Sequence, residues 1–322
     1  MKHISLSLGI LIILIMACNQ QPVVSDQPST DTNQPEKNIQ AYSLDSTPLY
    51  TIPDSEATRI KKDSLLQIAR DNYLHIPVQL DNIIWYGRRL AYQSRFMEAI
   101  EIYTLGLIPF PEAPELFRHR GHRYISTRQF DKAISDFEKA VTYSEGRDIE
   151  IEPDGLPNKL NIPLSSLQFN IWYHLALAHY LKGDFESAAN AWEACMEVST
   201  NPDLLCATTD WLYMTYRRLG KEKEATKLLE TITPEMEIIE NTSYHNRLLM
   251  YKGLKQPEDL LDFENTDDEA RIDIVTQGYG VGNWYLYNGE EEKAFTLFNQ
   301  LLESDYWSAF GYIAAEAEVF RR

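Results

Sequence analysis

Apolar residues recur every three or four positions along residues 80–304, and polar residues fill the positions between them. This is the period of amphipathic α-helices, in which one face of each helix is apolar. The helical segments come in pairs, because short polar turns with helix-ending residues separate them. These turns have the sequences QSRF, STRQF, LKGDF, RLGKEKE and YNGEEE. The pattern therefore predicts a series of helical hairpins.

A second pattern repeats within these hairpins: a small residue, an alanine twelve positions later, and an aromatic residue four positions after the alanine. Five copies keep the interval of twelve: Gly87–Ala99–Tyr103, Gly121–Ala133–Phe137, Ala176–Ala188–Trp192, Tyr213–Ala225–Leu229 and Gly282–Ala294–Phe298. The fourth copy departs from the pattern at its first and last positions. The long gap after the fourth alanine predicts a diverged copy centred near Asp259, and the gap after the second predicts an insertion of 21 residues.

These positions resemble the tetratricopeptide repeat (TPR), a helix pair with the pattern W-x₂-L-G-x₂-Y, then A-x₃-F, then P. The first three copies match it at Ile83, Tyr86, Gly87, Leu90, Ala99, Tyr103 and Pro111; at Phe117, Arg120, Gly121, Tyr124, Ala133 and Phe137; and at Trp172, Leu175, Ala176, His179, Ala188 and Trp192. The resemblance implies an all-α fold, an α-solenoid of about six TPR-like helix-turn-helix repeats. The first helix of each repeat would line the concave face, and the aromatic residues would fill the space between successive pairs.

The solenoid needs a cap at each end, because a terminal repeat has no neighbour to cover its apolar face. Residues 51–79 are expected to form the N-terminal capping segment, with Asp54 or Ser55 as the helix N-cap. Residues 80–304 then hold the repeats, with an insertion at 147–168, and residues 305–322 form a C-terminal capping helix.

The first 17 residues are predicted to be a lipoprotein signal peptide. Lys2 and His3 precede a short apolar run, and the segment ends in Ala17-Cys18, which resembles the site where bacterial lipoproteins are cleaved and acylated. We expect Cys18 to carry lipid, residues 18–50 to be a disordered tether, and the chain to be exported and anchored to a bacterial membrane, the outer membrane by preference. A plain secretory signal, or a cleaved signal with an accidental cysteine, is the alternative.

Charge is unevenly distributed along the chain. The formal net charge is −18, and residues 146–322 alone hold 31 acidic against 15 basic residues. An acidic protein is a poor binder of nucleic acid, so no nucleic-acid partner is expected. Residues 118–123, by contrast, concentrate three arginines and two histidines on one predicted helix.

Helical spacing predicts a peptide-binding groove on the concave face. Its candidate residues are Arg88, Tyr92, Arg118, His122, Tyr173 and Tyr180. Such a groove would suit a protein or peptide with an acidic or carboxylate-bearing segment, and it requires Arg88 and Arg118 to be unpaired. Arg120 and Arg123 are predicted to point elsewhere. The alternative is that the arginines pair with acidic residues of the chain itself, such as Glu115 or Asp136.

Other chemistries find weaker support. Glu115, His119 and His122 share a helix, but nearby arginines would repel a cation, so no metal site is predicted. Alternating carboxylates at residues 148–154 lack the pattern of a calcium loop. The glycine-rich segment 277–290 follows no strand, which argues against a phosphate loop.

Cys195 and Cys206 are expected to be buried free thiols. No cofactor and no enzymatic motif is expected.

The sequence therefore favours a membrane-anchored protein-protein interaction scaffold that binds a peptide or protein in the concave TPR groove and is not an enzyme. A glycan-binding outer-membrane lipoprotein and an envelope-assembly scaffold are the alternatives.

Overall fold

The computed structural model describes residues 38–52, 54–155, 157–263 and 268–322, with backbone alone for 268–272. The predicted signal peptide, Cys18 and the first part of the predicted tether lie outside these residues. Within the described part of the chain, thirteen α-helices and one β-hairpin account for the regular structure. The helices are α1 (Glu56–His75), α2 (Leu80–Tyr92), α3 (Phe96–Gly106), α4 (Pro114–Ser126), α5 (Phe130–Ser144), α6 (Leu167–Lys182), α7 (Phe185–Glu197), α8 (Pro202–Arg218), α9 (Glu222–Leu228), α10 (Thr242–Tyr251), α11 (Asp268–Tyr287), α12 (Glu291–Leu301) and α13 (Phe310–Arg321).

Successive helices pack as antiparallel pairs, which confirms the predicted all-α fold of stacked helical hairpins. The pairs are α2–α3, α4–α5, α6–α7, α8–α9 and α11–α12. The diverged fifth copy has only α10 followed by a short 3₁₀ helix at Pro257–Leu260 in place of a second helix. At the start of the stack, α1 packs on α2, and the Ser55 hydroxyl caps it by accepting a hydrogen bond from the Thr58 amide.

The repeated small and aromatic residues meet inside each pair. A methyl group placed on Gly87 would lie 2.4 Å from the Tyr103 ring, and one on Gly282 would lie 2.4 Å from the Phe298 ring. Gly121 and Phe137 are related in the same way. The aromatic residue therefore packs on the glycine of its own hairpin. It also reaches the next hairpin, as expected, because Tyr103 stacks on His119 and Phe137 stacks on His174. Its ring occupies the volume that a side chain on the first helix would need.

The inner face of the stack is filled by the C-terminal helices. Helix α13 packs on α6, α11 and α12. Val275 of α11 and Tyr312 of α13 share an apolar core with Ile83 of α2 and Tyr103 of α3. The C-terminal helices therefore contact the early repeats directly, which narrows the face on which a groove was predicted.

A β-hairpin precedes the first helix. Strands β1 (Ile39–Tyr42) and β2 (Pro48–Tyr50) pair in antiparallel register. Ala41 and Leu49 are buried in the same core as the early repeats. The prediction of a disordered tether is therefore wrong for residues 39–50, because these apolar side chains have a core to enter.

The expected state of the two cysteines can be checked in the described part of the chain. Cys195 and Cys206 are buried free thiols, as predicted. Burial raises the pKa of each thiol to about 12. No described helix combines the length and the apolar character that crossing a bilayer requires.

Candidate anion-binding cavity

A cavity of about 330 Å³ remains on the inner face, between the early repeats and the C-terminal helices. Helices α2, α4, α6, α8 and α10, which are the first helices of five successive repeats, all contribute to its wall. Phe310 at the start of α13 closes one side. The rim includes Ser165, Glu240 and Asn241, which are at least partly exposed.

Five of the six residues predicted for the groove line this cavity: Arg88, Tyr92, Arg118, His122 and Tyr173. Tyr180 does not. Its side chain is fully buried, and its hydroxyl accepts a hydrogen bond of 2.7 Å from the hydroxyl of Tyr279 in α11. Tyr173 and Tyr180 do share a helix face, but α11 covers that face at Tyr180. The prediction for Tyr180 is therefore wrong.

Helical spacing missed three cavity residues: His119, Arg123 and His174. Arg123 was expected to point away from the groove. In the structure, however, two adjacent residues in each turn of α4 face the cavity, at positions 118 and 119 and again at positions 122 and 123. The signal that could have revealed this width is the clustering of five basic or imidazole side chains within 118–123. Arg120 points away, as expected: its guanidinium donates to both carboxylate oxygens of Asp136, at 2.7 and 2.8 Å.

Two of the three cavity arginines already have partners. Arg118 forms an ion pair with Glu152 (2.7 Å), and Arg88 donates to the carbonyl of Pro153 (2.8 Å). Arg88 also donates to the Tyr92 hydroxyl (3.3 Å). The expectation that Arg88 and Arg118 are unpaired is therefore wrong, because the inserted segment folds back over the cavity.

Arg123 differs from its two neighbours. Its guanidinium lies 5.3 Å from the centre of the Phe96 ring, and no acceptor among the described residues pairs with it. Burial lowers the pKa of Arg123 to about 10, and the charges of Arg118 and Arg88 contribute in the same direction. The group stays cationic at neutral pH. Its side chain is partly exposed, so a positive charge with reduced access to water and no ion-pair partner among the described residues faces the cavity.

The three histidines are held in the neutral state. Burial lowers the pKa of His119 and of His122 well below 6.5, and nearby arginines lower each further. Burial lowers the pKa of His174 to about 3. The Nδ1 atom of His119 accepts a hydrogen bond from Arg118 (2.9 Å), which places its proton on Nε2, whereas Nδ1 of His174 donates to the Asn170 carbonyl (2.5 Å). The rings therefore contribute polar groups without additional charge.

The inserted segment covers part of the cavity, and we call its residues 148–155 the strap. The Glu152 amide donates to the Ser165 carbonyl (3.0 Å), and an antiparallel bridge joins Ile151 to Ser166. At Gly155 the backbone passes so close to the Tyr92 hydroxyl that a methyl group would lie 1.7 Å from it. The strap thus runs directly over Arg88 and Tyr92.

A metal site finds no support in this part of the chain. Among the described residues, no group of three or more histidine, cysteine, aspartate or glutamate side chains is placed to hold a metal ion. Of the alternating carboxylates of the strap, Glu152 binds Arg118, while Glu150 lies 3.8 Å from Arg147.

A comparison with protein-family profiles supports one of the repeats. Residues 119–146, which cover most of the α4–α5 pair, match the family profile described as "Tetratricopeptide repeat". No curated protein sequence matches the chain.

Several solved structures are similar to the chain at low identity. YrrB, titled a TPR protein with an unusual peptide-binding site, is 13% identical, with 73% of this chain and 91% of YrrB covered and a TM-score of 0.41. MamA is 13% identical over 62% of this chain and 90% of its own, with a TM-score of 0.41. BtubC from P. vanneervenii is 18% identical over 78% of this chain and 91% of its own, with a TM-score of 0.39.

Proposed function

We propose that this chain is a non-catalytic scaffold that binds a protein partner, and that the inner cavity receives a carboxylate of an acidic segment of that partner. Arg123 is the observation that carries this proposal. Arg123 is partly exposed, and a charge with reduced access to water and no counter-charge is costly to a folded protein. A bound carboxylate would remove that cost, because a guanidinium pairs with a carboxylate through two parallel hydrogen bonds.

The surroundings of Arg123 support an anionic ligand. Arg88 and Arg118 stand beside it, and their charges contribute to lowering its pKa. Tyr103 and His122 add polar groups to the wall, and no protein hydrogen bond occupies the Tyr103 hydroxyl or the His122 ring nitrogens in the described structure. Three cations and several neutral polar groups favour a carboxylate over a neutral or cationic group.

The size of the cavity limits what can enter it. About 330 Å³ accommodates one or two side chains or a chain terminus, whereas an extended peptide would need a continuous channel. Helices α11 and α13 fill the rest of the inner face. The ligand we propose is therefore a short acidic tip of a larger partner. With two charge-assisted hydrogen bonds and some apolar burial, its dissociation constant would be on the order of micromolar.

The proposal is tested by fluorescence anisotropy with labelled acidic peptides of about ten residues, each made with free carboxylates and with the corresponding amides. Peptides with free carboxylates should bind the full chain. Arg123→Gln should weaken this binding by at least about ten-fold, since it removes one charge-assisted pair. Arg70→Gln is the matched control, because Arg70 is exposed on α1, far from the cavity wall in sequence and without a described contact. If the amides bind as well as the acids, or if both variants behave alike, the proposal is wrong.

The scaffold would act at a membrane surface. We propose export, acylation at Cys18 and attachment to a bacterial membrane, on the strength of the basic start, the short apolar run and the Ala17-Cys18 pair. Metabolic labelling with a palmitate analogue should mark the chain, and Cys18→Ser should abolish the label. A labelled Cys18→Ser protein would contradict acylation at this residue.

A further inference from the structure

The strap presents carboxylates to the cavity in the way that a ligand would. Glu152 pairs with Arg118, and its Oε2 atom also accepts a hydrogen bond from the Asn170 amide. Asp154, two residues later, is near enough to Arg88 for that charge to oppose the rise in pKa that burial causes. One short segment of the chain itself therefore pairs a glutamate with Arg118 and brings both the Pro153 carbonyl and an aspartate near Arg88.

The fit of the strap to these arginines is incomplete. The Nε atom of Arg118 and the Oδ2 atom of Asp154 are both buried without a hydrogen-bond partner in the protein. A buried polar atom without a partner costs about 1–3 kcal/mol. A different acidic segment that accepted a hydrogen bond from Arg118 Nε, and whose binding released Asp154 to water, would avoid both costs.

The strap is held mainly by polar contacts. Its aliphatic side chains, Ile149 and Ile151, are 48% and 52% exposed, so little apolar surface is buried beneath it. Displacing the strap would break hydrogen bonds and an ion pair. An acidic ligand could form contacts of the same types in their place. The hydrophobic effect, which stabilises the helical core, hardly opposes this exchange.

We propose that the strap is an internal copy of the ligand: the partner carries two carboxylates two residues apart, as in Glu152-Pro153-Asp154, and binds by displacing the strap from Arg88 and Arg118. This inference rests on the proposed function, and it adds both the spacing of the partner's acidic residues and a competition that limits its affinity. The apparent affinity of the wild-type chain is then reduced by the fraction of molecules in which the strap occupies the site.

The experiment uses a fluorescein-labelled peptide with the sequence of residues 147–155, RDIEIEPDG. It is titrated with the wild-type chain and with two full-length variants. Glu152→Gln/Asp154→Asn removes the charges by which the strap competes, and Gly155→Ala keeps the charges but pushes the strap away from Tyr92. Both variants should bind the peptide at least about ten-fold more tightly than the wild type does. Thermal melts followed by circular dichroism check that each variant folds.

Two controls define what the peptide recognises. A peptide in which the second glutamate and the second aspartate, the counterparts of Glu152 and Asp154, are replaced by Gln and Asn should bind at least about ten-fold more weakly, because it lacks the two carboxylates that the inference requires. Adding Arg118→Gln to the Gly155→Ala chain should remove the gain in affinity. Equal affinity for the two peptides would overturn the inference.

The outcomes separate this inference from the proposed function. If acidic peptides bind the wild type through Arg123 but neither strap variant binds more tightly, the strap inference is wrong and the proposed function stands. If neither the wild type nor the variants bind any acidic peptide, both are wrong. Tighter binding by Gly155→Ala alone still supports competition by the strap, because this variant retains every charged group.

Discussion

Arg247 and Arg123 differ in whether the fold supplies them with a carboxylate partner. Arg247 is 1% exposed, and it donates from Nε and Nη2 to the two carboxylate oxygens of Asp210, at 2.9 and 2.5 Å. Its remaining terminal nitrogen donates to the Thr276 carbonyl (2.7 Å), which joins α8 and α10 to α11. Arg123 at the cavity lies over the ring of Phe96 and has no carboxylate partner among the described residues.

The paired arginines also attach the last helix. Arg128 binds Glu316, and Arg218 binds Glu318 (2.7 Å each). Both carboxylates belong to α13, whereas Arg128 lies in the turn between α4 and α5 and Arg218 is the last residue of α8. The difference shows that the fold can supply a carboxylate to a buried arginine wherever helices must be joined. Arg123 lies at the wall of a cavity and has no carboxylate partner among the described residues. It therefore marks a place where the fold alone does not complete an ion pair.

The largest change in the free energy of unfolding is expected when the buried ion pair between Arg247 and Asp210 is broken. Asp210→Ala would leave Arg247 buried without its counter-charge, and this should lower the free energy of unfolding by about 3–5 kcal/mol. Urea denaturation measures the loss. Asp131→Ala is the matched control, because the ion pair of Asp131 with Lys182 is largely exposed and should contribute less than about 1 kcal/mol. Similar losses in both variants would remove this distinction between a buried and an exposed ion pair.

A smaller effect is expected at the junction with α13. Glu316→Gln removes the charge that faces Arg128 and weakens the hydrogen bond from the Leu44 amide (2.7 Å). We expect a loss of about 1–3 kcal/mol in unfolding free energy. Hydrogen exchange should quicken at Leu44 more than at α4 amides remote from α13, since the β-hairpin loses a direct attachment. Unchanged protection at Leu44 would show that Glu316 does not hold the hairpin.

The three neutral histidines of the cavity should make the free energy of unfolding depend on pH. His119, His122 and His174 have pKa values below 6.5 in the folded chain, so the unfolded chain binds more protons as the pH falls below 6.5. Their contribution to stability is present above pH 6.5 and is lost progressively below it, by up to about 1.4 kcal/mol per pH unit for each ring.

Unfolding free energies measured between pH 7 and 5 test this dependence. His174→Gln should reduce the slope over that range, and His75→Gln controls for removing an exposed ring outside the cavity. A slope that His174→Gln leaves unchanged would contradict the neutral cavity.

The smallest change in stability is expected at Arg123. Arg123→Met keeps much of the volume and removes a partly desolvated charge that has no ion-pair partner among the described residues, so the unfolding free energy should stay within about 1 kcal/mol of wild type or rise. Binding of acidic peptides should nevertheless be lost. If Arg123→Met lost as much stability as Asp210→Ala, Arg123 would have to stabilise the fold in the way that Arg247 does.

The repeat pattern predicted most of the fold because it is set by local packing. Gly121 and Phe137 are sixteen positions apart, and their contact lies within one hairpin, so the sequence alone carries it. The positions of Arg88, Arg118 and His122 on the inner face followed from the same helical periodicity. These predictions depended on neighbours along the chain, which a periodic pattern describes well.

Contacts between distant segments could not be predicted in this way. The Glu152–Arg118 pair depends on how an irregular insertion folds back, and Tyr180 is covered by a helix that begins almost ninety residues later. Arg123 was misplaced because the cavity side of α4 is wider than one helical stripe. In each case the deciding neighbour was set by tertiary structure, for which the local pattern contains no signal.

The return of α13 to the early repeats has a consequence for how the chain folds. Leu44 and Glu316 are 272 positions apart yet share a hydrogen bond. A simple solenoid can fold by adding one repeat to the next, since each unit contacts only its neighbours. Here the ends are joined, so loss of the final helix should expose the interior surfaces of the first repeats. Unfolding is thus expected to involve the whole body at once, and long-range closure should make folding slower than in an open array of the same helices.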